Sequence, residues 1–256
     1  MSLCPSGTRL VYCFAMQLYL ASLEQTSGNT NTHSAPHKEI LINLNFDFYF
    51  LIFLLYTVHQ MVYRALERLL AFIFLILSLP LLGILYIVVR LESRGPFLFL
   101  QLRTGKDKRP FWIYKIRTMV DGAESLKTKV NKLNEADGPV FKIMDDPRYT
   151  RTGKVLSHIA IDELPQLMNI IEGSMSFVGP RPLPLYEAKK IPKQYEKRFS
   201  VLPGMTSEWI VQGAHTLSFK KWMELDCQYV KKKSIKKDIS ILLRTVYMVG
   251  KMMFYK

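Results

Sequence analysis

The sequence predicts a mixed α/β, mostly helical protein that joins an apolar membrane segment to a basic body with a small β-hairpin. Three observations carry this. Leu69 to Val89 is a run of 21 residues without a charge. Residues 92–119, ESRGPFLFLQLRTGKDKRPFWIYKIRTM, alternate β-formers with turn residues. Beyond residue 151, helical periodicity dominates.

Bulk properties agree. The 256 residues suffice for one sizeable domain and an appendage. Hydrophobic residues make up 49 % and mean hydropathy is +0.07. That excludes a disordered chain and a many-span transporter. The formal charge is +14, concentrated late: residues 181–256 hold 16 Lys/Arg against 6 Asp/Glu. Such a region needs an anionic partner, and anionic lipid is favoured over nucleic acid because the chain carries a membrane segment and no nucleic-acid-binding motif. Cys4, Cys13 and Cys227 form neither a disulfide framework nor a zinc site, which suits a body facing a reducing cytoplasm.

In chain order, residues 1–45 read as a poorly ordered leader without a cleavable signal pattern. Residues 46–62 are apolar yet contain Asp47, His59 and Gln60, and read either as an extra membrane helix or as an interfacial one. Residues 63–94 form the anchor. A straight helix over Leu69–Val89 would just cross a ~30 Å hydrocarbon core. Pro80 lies at its midpoint, with Ser78 able to bond a carbonyl that the proline frees. Arg64 and Arg68 precede the run, and Arg90 and Arg94 follow it. Basic residues favour the cytoplasmic side. A segment that enters, breaks at Ser78–Pro80 and returns places both flanks there; an ordinary spanning helix with a tolerated proline is the alternative. Residues 95–256 form the body. It opens with the hairpin turning at Gly105–Lys108, continues into a polar helix over 121–135, and is broken by Gly-Pro at 179–180 and Pro-Gly at 203–204.

Candidate chemistry centres on Ile161-Asp162-Glu163-Leu164-Pro165-Gln166. As structure, this is a helix start, with Asp162 as cap, Glu163 near the positive end and Pro165 in the first turn. As function, such a start suits phosphate, and two adjacent carboxylates can divide into nucleophile and Mg²⁺ ligand. Asp145-Asp146-Pro147-Arg148 precedes it and Gly179-Pro180-Arg181-Pro182 follows. Arg148 projects from a proline turn, and Arg181 is stiffened by a proline on each side. Either could be a solvated turn residue or a bidentate phosphate ligand.

Together these strings resemble the bacterial sugar transferase family, the monotopic polyprenyl-phosphate phosphoglycosyltransferases. The matching strings run in order: the apolar segment with Pro80, RLESRGP, QLRTGK, YKIRTM, DDPRYTRTGK, IDELPQLMN, GSMSFVGPRP, PGMTS and ELDCQYV, from about residue 63 to 250. The resemblance implies a re-entrant helix-break-helix inserted in one leaflet, and a cytoplasmic catalytic domain with the hairpin and surface amphipathic helices. It implies a transferase of substituted phosphate groups at the bacterial inner membrane. Asp162 would attack the β-phosphate of a UDP-sugar, release UMP and carry a phospho-sugar that polyprenyl phosphate then accepts. Glu163 would help hold Mg²⁺. Lys115, Arg117, Arg148, Arg181 and Asp226 fall on motif positions and are implied substrate-binding residues. The implied partners are a UDP-sugar, polyprenyl phosphate and anionic lipid, with further copies of the chain left open.

The sequence departs from the family pattern in places. Leu79 rather than serine precedes Pro80; Ser157 and Ala160 stand where arginine and a small hydroxyl residue are usual before the dyad. Ser207, Ile210 and Ala214 replace the usual Gly, Gln and Arg after Pro203-Gly204, a region linked to donor recognition. A non-catalytic scaffold of a polysaccharide machine is the alternative reading. The intact Asp162, Glu163, Arg148 and Arg181 favour the enzyme.

Overall fold

A computed structural model describes the backbone of residues 35–254 and the side chains of residues 50–251 other than His215. Two compact units are present, up to Ala65 and from Leu66 onward. Helix α1 spans Ala35–Glu92, with Pro36 in its first turn, where a missing N–H is harmless. Of the leader expected over 1–45, residues 1–34 lie outside the described residues, and 35–45 are helical rather than irregular.

The helix break expected at Ser78 and Pro80 is not found: α1 continues through Pro80. Ser78 Oγ donates to the Leu75 carbonyl at 2.8 Å. The reason is packing. Glu67, Ala71, Leu85 and Val89 are buried at helical spacing, on both sides of the proline. Ala71 packs with Ile113, Leu167 and Ile170, whereas Leu85 and Val89 pack with Ile116 and Leu156. A proline inside a helix costs about 3 kcal/mol. Burying Leu85 and Val89 contributes about 1.5–3 kcal/mol each and offsets it. The remaining circumference stays apolar and exposed, as at Leu69, Leu77, Ile84 and Ile87. Phe50–Glu92 is long and apolar enough to cross a membrane by length and composition. A straight helix of that length is about 65 Å, roughly twice a hydrocarbon core.

The expected hairpin is present. Strands β1 (Leu98–Thr104) and β2 (Pro110–Ile116) pair antiparallel, from Leu98 opposite Ile116 to Thr104 opposite Pro110. Strand β4 (Leu183–Pro184) adds to β1, giving the order β2-β1-β4. Strands β3 (Ser176–Val178) and β5 (Gly204–Thr206) form a separate parallel pair. The Gly-Pro and Pro-Gly strings end β3 and begin β5. The long helices of the body are α2 (Arg151–His158), α3 (Gln166–Glu172), α4 (Phe219–Lys232) and α5 (Ile235–Phe254). Residues 121–135 are not one helix. Only Lys127–Val130 is α-helical, because this stretch buries no side chain that would hold a longer helix in place.

The main core gathers Val140, Leu183, Phe199, Trp209, Trp222 and Met223, with the two tryptophan rings stacked 4.1 Å apart. Helix α5 is amphipathic, with Ile241 buried while Ile239, Leu243, Val246 and Tyr247 are exposed.

Candidate active site

Local backbone sets the dyad. Ala160 adopts a left-handed conformation, φ 58°, which stops α2 from running on. Ile161–Glu163 then makes one 3-10 turn before α3 begins. Asp162 therefore does not cap a helix, as the sequence suggested; its side chain makes no capping bond and is free for other work. Both Asp162 and Glu163 are buried, at 5 % and 8 % exposure.

Two cations meet them. Lys115, near the end of β2, places its Nζ 2.7 Å from Glu163 Oε1 and 3.5 Å from Asp162 Oδ2. Arg181 donates from its terminal guanidinium nitrogen to the same Glu163 Oε1 at 2.8 Å. Burial pushes the Glu163 carboxyl up, but Arg181 and Lys115 outweigh it and hold it well below the usual range. Burial pushes Asp162 up, Lys115 pulls it back, and the charge of Glu163 adds to the rise. Glu163 is thus held as the anion of the pair, while burial and the Glu163 charge leave Asp162 raised above its usual range despite Lys115.

Supporting contacts hold these groups in place. Asn169 of α3 is fully buried and clamps the strand carrying Lys115: its Oδ1 accepts from the Tyr114 N–H at 3.1 Å, and its Nδ2 donates to the Trp112 carbonyl at 2.7 Å. Arg181 leaves a tight backbone crossing. Gly179 N–H donates to the Thr206 carbonyl and Gly204 N–H to the Pro180 carbonyl. A Cβ on Gly204 would lie 2.0 Å from Gly179 N, so this crossing requires glycine. Arg198 donates to the Arg181 carbonyl at 2.9 Å and is itself held by Asp226 Oδ2 at 2.8 and 3.0 Å. Arg103 donates to the Pro182 carbonyl at 3.0 Å. Burial and the charge of Arg181 lower the Arg103 pKa to about 10.

Of the sequence candidates, the structure brings together Lys115, Asp162, Glu163 and Arg181. Asp226 acts at one remove, through Arg198. The other two are committed elsewhere. Arg117 donates to the carbonyls of Arg94 and Ser93, which follow α1, at 2.6 and 2.7 Å, and at 3.5 Å to the Val89 carbonyl in the last turn of α1. Arg148 pairs with Asp146 at 2.9 and 2.6 Å and donates to the Ala123 carbonyl at 3.0 Å. The same string supplies Thr150, whose hydroxyl caps α2, and Gly153, where a Cβ would strike the Thr118 carbonyl. DDPRYTRTG is thus a folding element. Asn169, Arg198 and Arg103 were missed. Asn169 and Arg103 lie inside quoted strings, whereas nothing local marks Arg198.

Among the described residues no group of three or more His, Cys, Asp or Glu converges on one point. The dyad fits a cation that takes most of its ligands from phosphate and water, as Mg²⁺ does. The known contacts of Glu163 fall on Oε1, which leaves Oε2 for such an ion.

Residues 58–252 match the bacterial sugar transferase family. The galactosyl transferase CpsE of Streptococcus agalactiae is 38 % identical over 68 % of this chain and 40 % of its own length. The uncharacterized sugar transferase EpsL of Bacillus subtilis is 37 % identical over 73 % of this chain and 86 % of its own length. The UDP-glucose:undecaprenyl-phosphate glucose-1-phosphate transferase of Escherichia coli is 33 % identical over 74 % of this chain and 40 % of its own length. The chain thus spans less than half of the streptococcal and E. coli relatives and most of the Bacillus one. The match covers the hairpin, the dyad turn and the Gly-Pro-Arg crossing alike, and the chain belongs to the bacterial sugar transferase family.

Proposed function

We propose that this chain transfers a sugar-1-phosphate from a UDP-sugar to polyprenyl phosphate, giving a polyprenyl-diphospho-sugar and UMP, as the first membrane step of a polysaccharide or glycoconjugate pathway. The supporting observation is the buried Asp162–Glu163 pair, gripped by Lys115 and Arg181. In the first step an Asp162 carboxylate oxygen attacks the β-phosphorus of the donor. The bond from that phosphorus to the bridging oxygen breaks, and UMP leaves with the electron pair. In the second step a polyprenyl phosphate oxygen attacks the same phosphorus and Asp162 leaves as carboxylate. Lys115 orients Asp162 and Arg181 offers its remaining donors to the phosphoryl oxygens. Glu163 holds both cations and would hold Mg²⁺, which when bound neutralises phosphate charge. Release of UMP from a panel of UDP-sugars, by membranes containing the chain and polyprenyl phosphate, tests this reading. A properly inserted chain that releases none would instead be a scaffold.

Arg181→Ala should lower kcat/KM for the donor by about 30- to 1000-fold, the equivalent of roughly 2–4 kcal/mol, without unfolding the chain. Unchanged UMP release would reduce Arg181 to a turn residue.

The anchor belongs to the same reading. Ala71 and Val89, on either side of Pro80, are buried against one body, which supports both ends of the anchor lying at the cytoplasmic face of the inner membrane, with α1 continuous through Pro80 rather than turned back there. The basic run Lys231–Lys233 with Lys236 and Lys237 would face anionic lipid. Cysteines introduced beside Arg68 and Arg94 should label from the same side. Labelling from opposite sides would establish a spanning helix.

A further inference from the structure

Gln166 is 2 % exposed, and its Nε2 is buried with no hydrogen-bond partner among the described residues. A buried amide left unbonded costs free energy that an apolar side chain of the same shape would avoid. The contrast with Asn169, three residues further on, is direct: that amide is equally buried, yet its Oδ1 accepts from Tyr114 N–H and its Nδ2 donates to the Trp112 carbonyl.

The backbone places the Gln166 amide. Ile161–Glu163 makes a 3-10 turn, Leu164 and Pro165 are right-handed helical, and α3 begins at Gln166. Leu164 N–H donates to the Ile161 carbonyl and Leu167 N–H to the Leu164 carbonyl, each at 3.1 Å, so one helical ladder runs from the dyad into α3. Residues three and four apart share a face of such a helix, which puts Gln166 on the face of Glu163 and Asp162. Helical side chains lean toward the preceding turn, so the carboxamide leans over the dyad. Contacts to β2 bracket it. Glu163 meets Lys115 at 2.7 Å on one side, and Asn169 bonds Trp112 and Tyr114 on the other.

Neither dyad carboxylate takes a hydrogen bond from Gln166 Nε2. The group that reaches Asp162 during the proposed reaction is a phosphoryl group, whose non-bridging oxygens only accept. We propose that Gln166 is a further catalytic residue, its carboxamide N–H donating to a non-bridging oxygen of the phosphoryl group as that group passes to and from Asp162. This rests on the reading of the chain as a phosphotransferase acting through Asp162. Gln166 makes and breaks no covalent bond and exchanges no proton; as a neutral donor it brings no further charge to the dyad. The same phosphorus passes through both steps, so the amide serves both.

The test uses the full chain in membranes and follows the half-reactions separately: covalent labelling by a UDP-sugar labelled in its sugar and β-phosphate, then discharge of the label by polyprenyl phosphate. Gln166→Met keeps the length and bulk of the side chain and removes the amide. It should leave the thermal unfolding midpoint unchanged or raised, because the Nε2 donor makes no bond in the folded chain. It should slow both half-reactions by about 10–100-fold and leave the KM of each substrate within about threefold. Gln166→Glu keeps the shape but sets a third carboxylate beside the dyad, and should slow both steps at least as much. Unchanged rates in Gln166→Met overturn the proposal, as does a rise in donor KM at unchanged kcat. A loss of activity matched by a lowered unfolding midpoint also overturns it, since the amide would then be a structural bond. Full activity in Gln166→Glu overturns it even where the methionine variant fails to fold. A wild type that releases no UMP from any donor, or turns over without retaining label, defeats the proposed reaction itself. Wild-type labelling with an indifferent Gln166→Met defeats only this inference.

Discussion

Asp162→Asn is expected to abolish turnover, lowering kcat by about 10⁴-fold or more, while the chain stays folded and membrane-inserted. The separation of effects follows from the geometry. Asp162 makes no capping bond, so the 3-10 turn does not depend on its carboxylate. Lys115 keeps its closer contact to Glu163 at 2.7 Å when the 3.5 Å contact to Asp162 is weakened. The amide has nearly the same shape but no charge with which to attack phosphorus. Assays of UMP release beside a thermal unfolding measurement check both halves. Residual activity above about a tenth of wild type would remove Asp162 from the covalent step.

Asp226→Ala should have the largest effect on stability, about 3–5 kcal/mol. Asp226 and Arg198 are 1 % and 2 % exposed, and truncation leaves the guanidinium buried without its counter-ion. For a body of this size, that lowers the unfolding midpoint by roughly 6–20 °C. Because Arg198 also holds the Arg181 carbonyl, the folded fraction should bind donor more weakly. Replacing both partners with leucine should recover part of the stability, since no charge is then stranded. A single variant as stable as wild type would mean that the pair is dispensable.

Much of the scaffold was legible because it is local. Gly105–Lys108 between two runs of β-formers marked the hairpin, whereas at the dyad the sequence showed only a helix start, and not the left-handed Ala160 or the 3-10 turn that follow from the fold. What the sequence concealed depends on partners far along the chain. Arg117 and Arg148 look like phosphate ligands because an arginine beside a turn reads the same whether it faces phosphate or a carbonyl. For Arg148 the deciding partner, Asp146, stood two residues away, whereas Arg117 caps a helix that ends 25 residues earlier. Asn169 reaches back 55 residues to Tyr114, and Arg198 reaches 28 residues to Asp226. Pro80 misled in the opposite direction. Its local effect is to break a helix, but the buried stripe through Ala71, Leu85 and Val89 holds α1 together across it.

In the proposed reaction Asp162 carries the phospho-sugar. That role is tested most directly by incubating the membrane-inserted chain with a UDP-sugar labelled in its sugar and β-phosphate, with no polyprenyl phosphate present. Label should become covalently attached to wild type, with one UMP released per chain; Asp162→Asn should retain none, and later addition of polyprenyl phosphate should discharge the label. A wild-type chain that turns over with both substrates yet never retains label, and whose kinetics require both to be bound together, would contradict the covalent route and leave Asp162 at most a base.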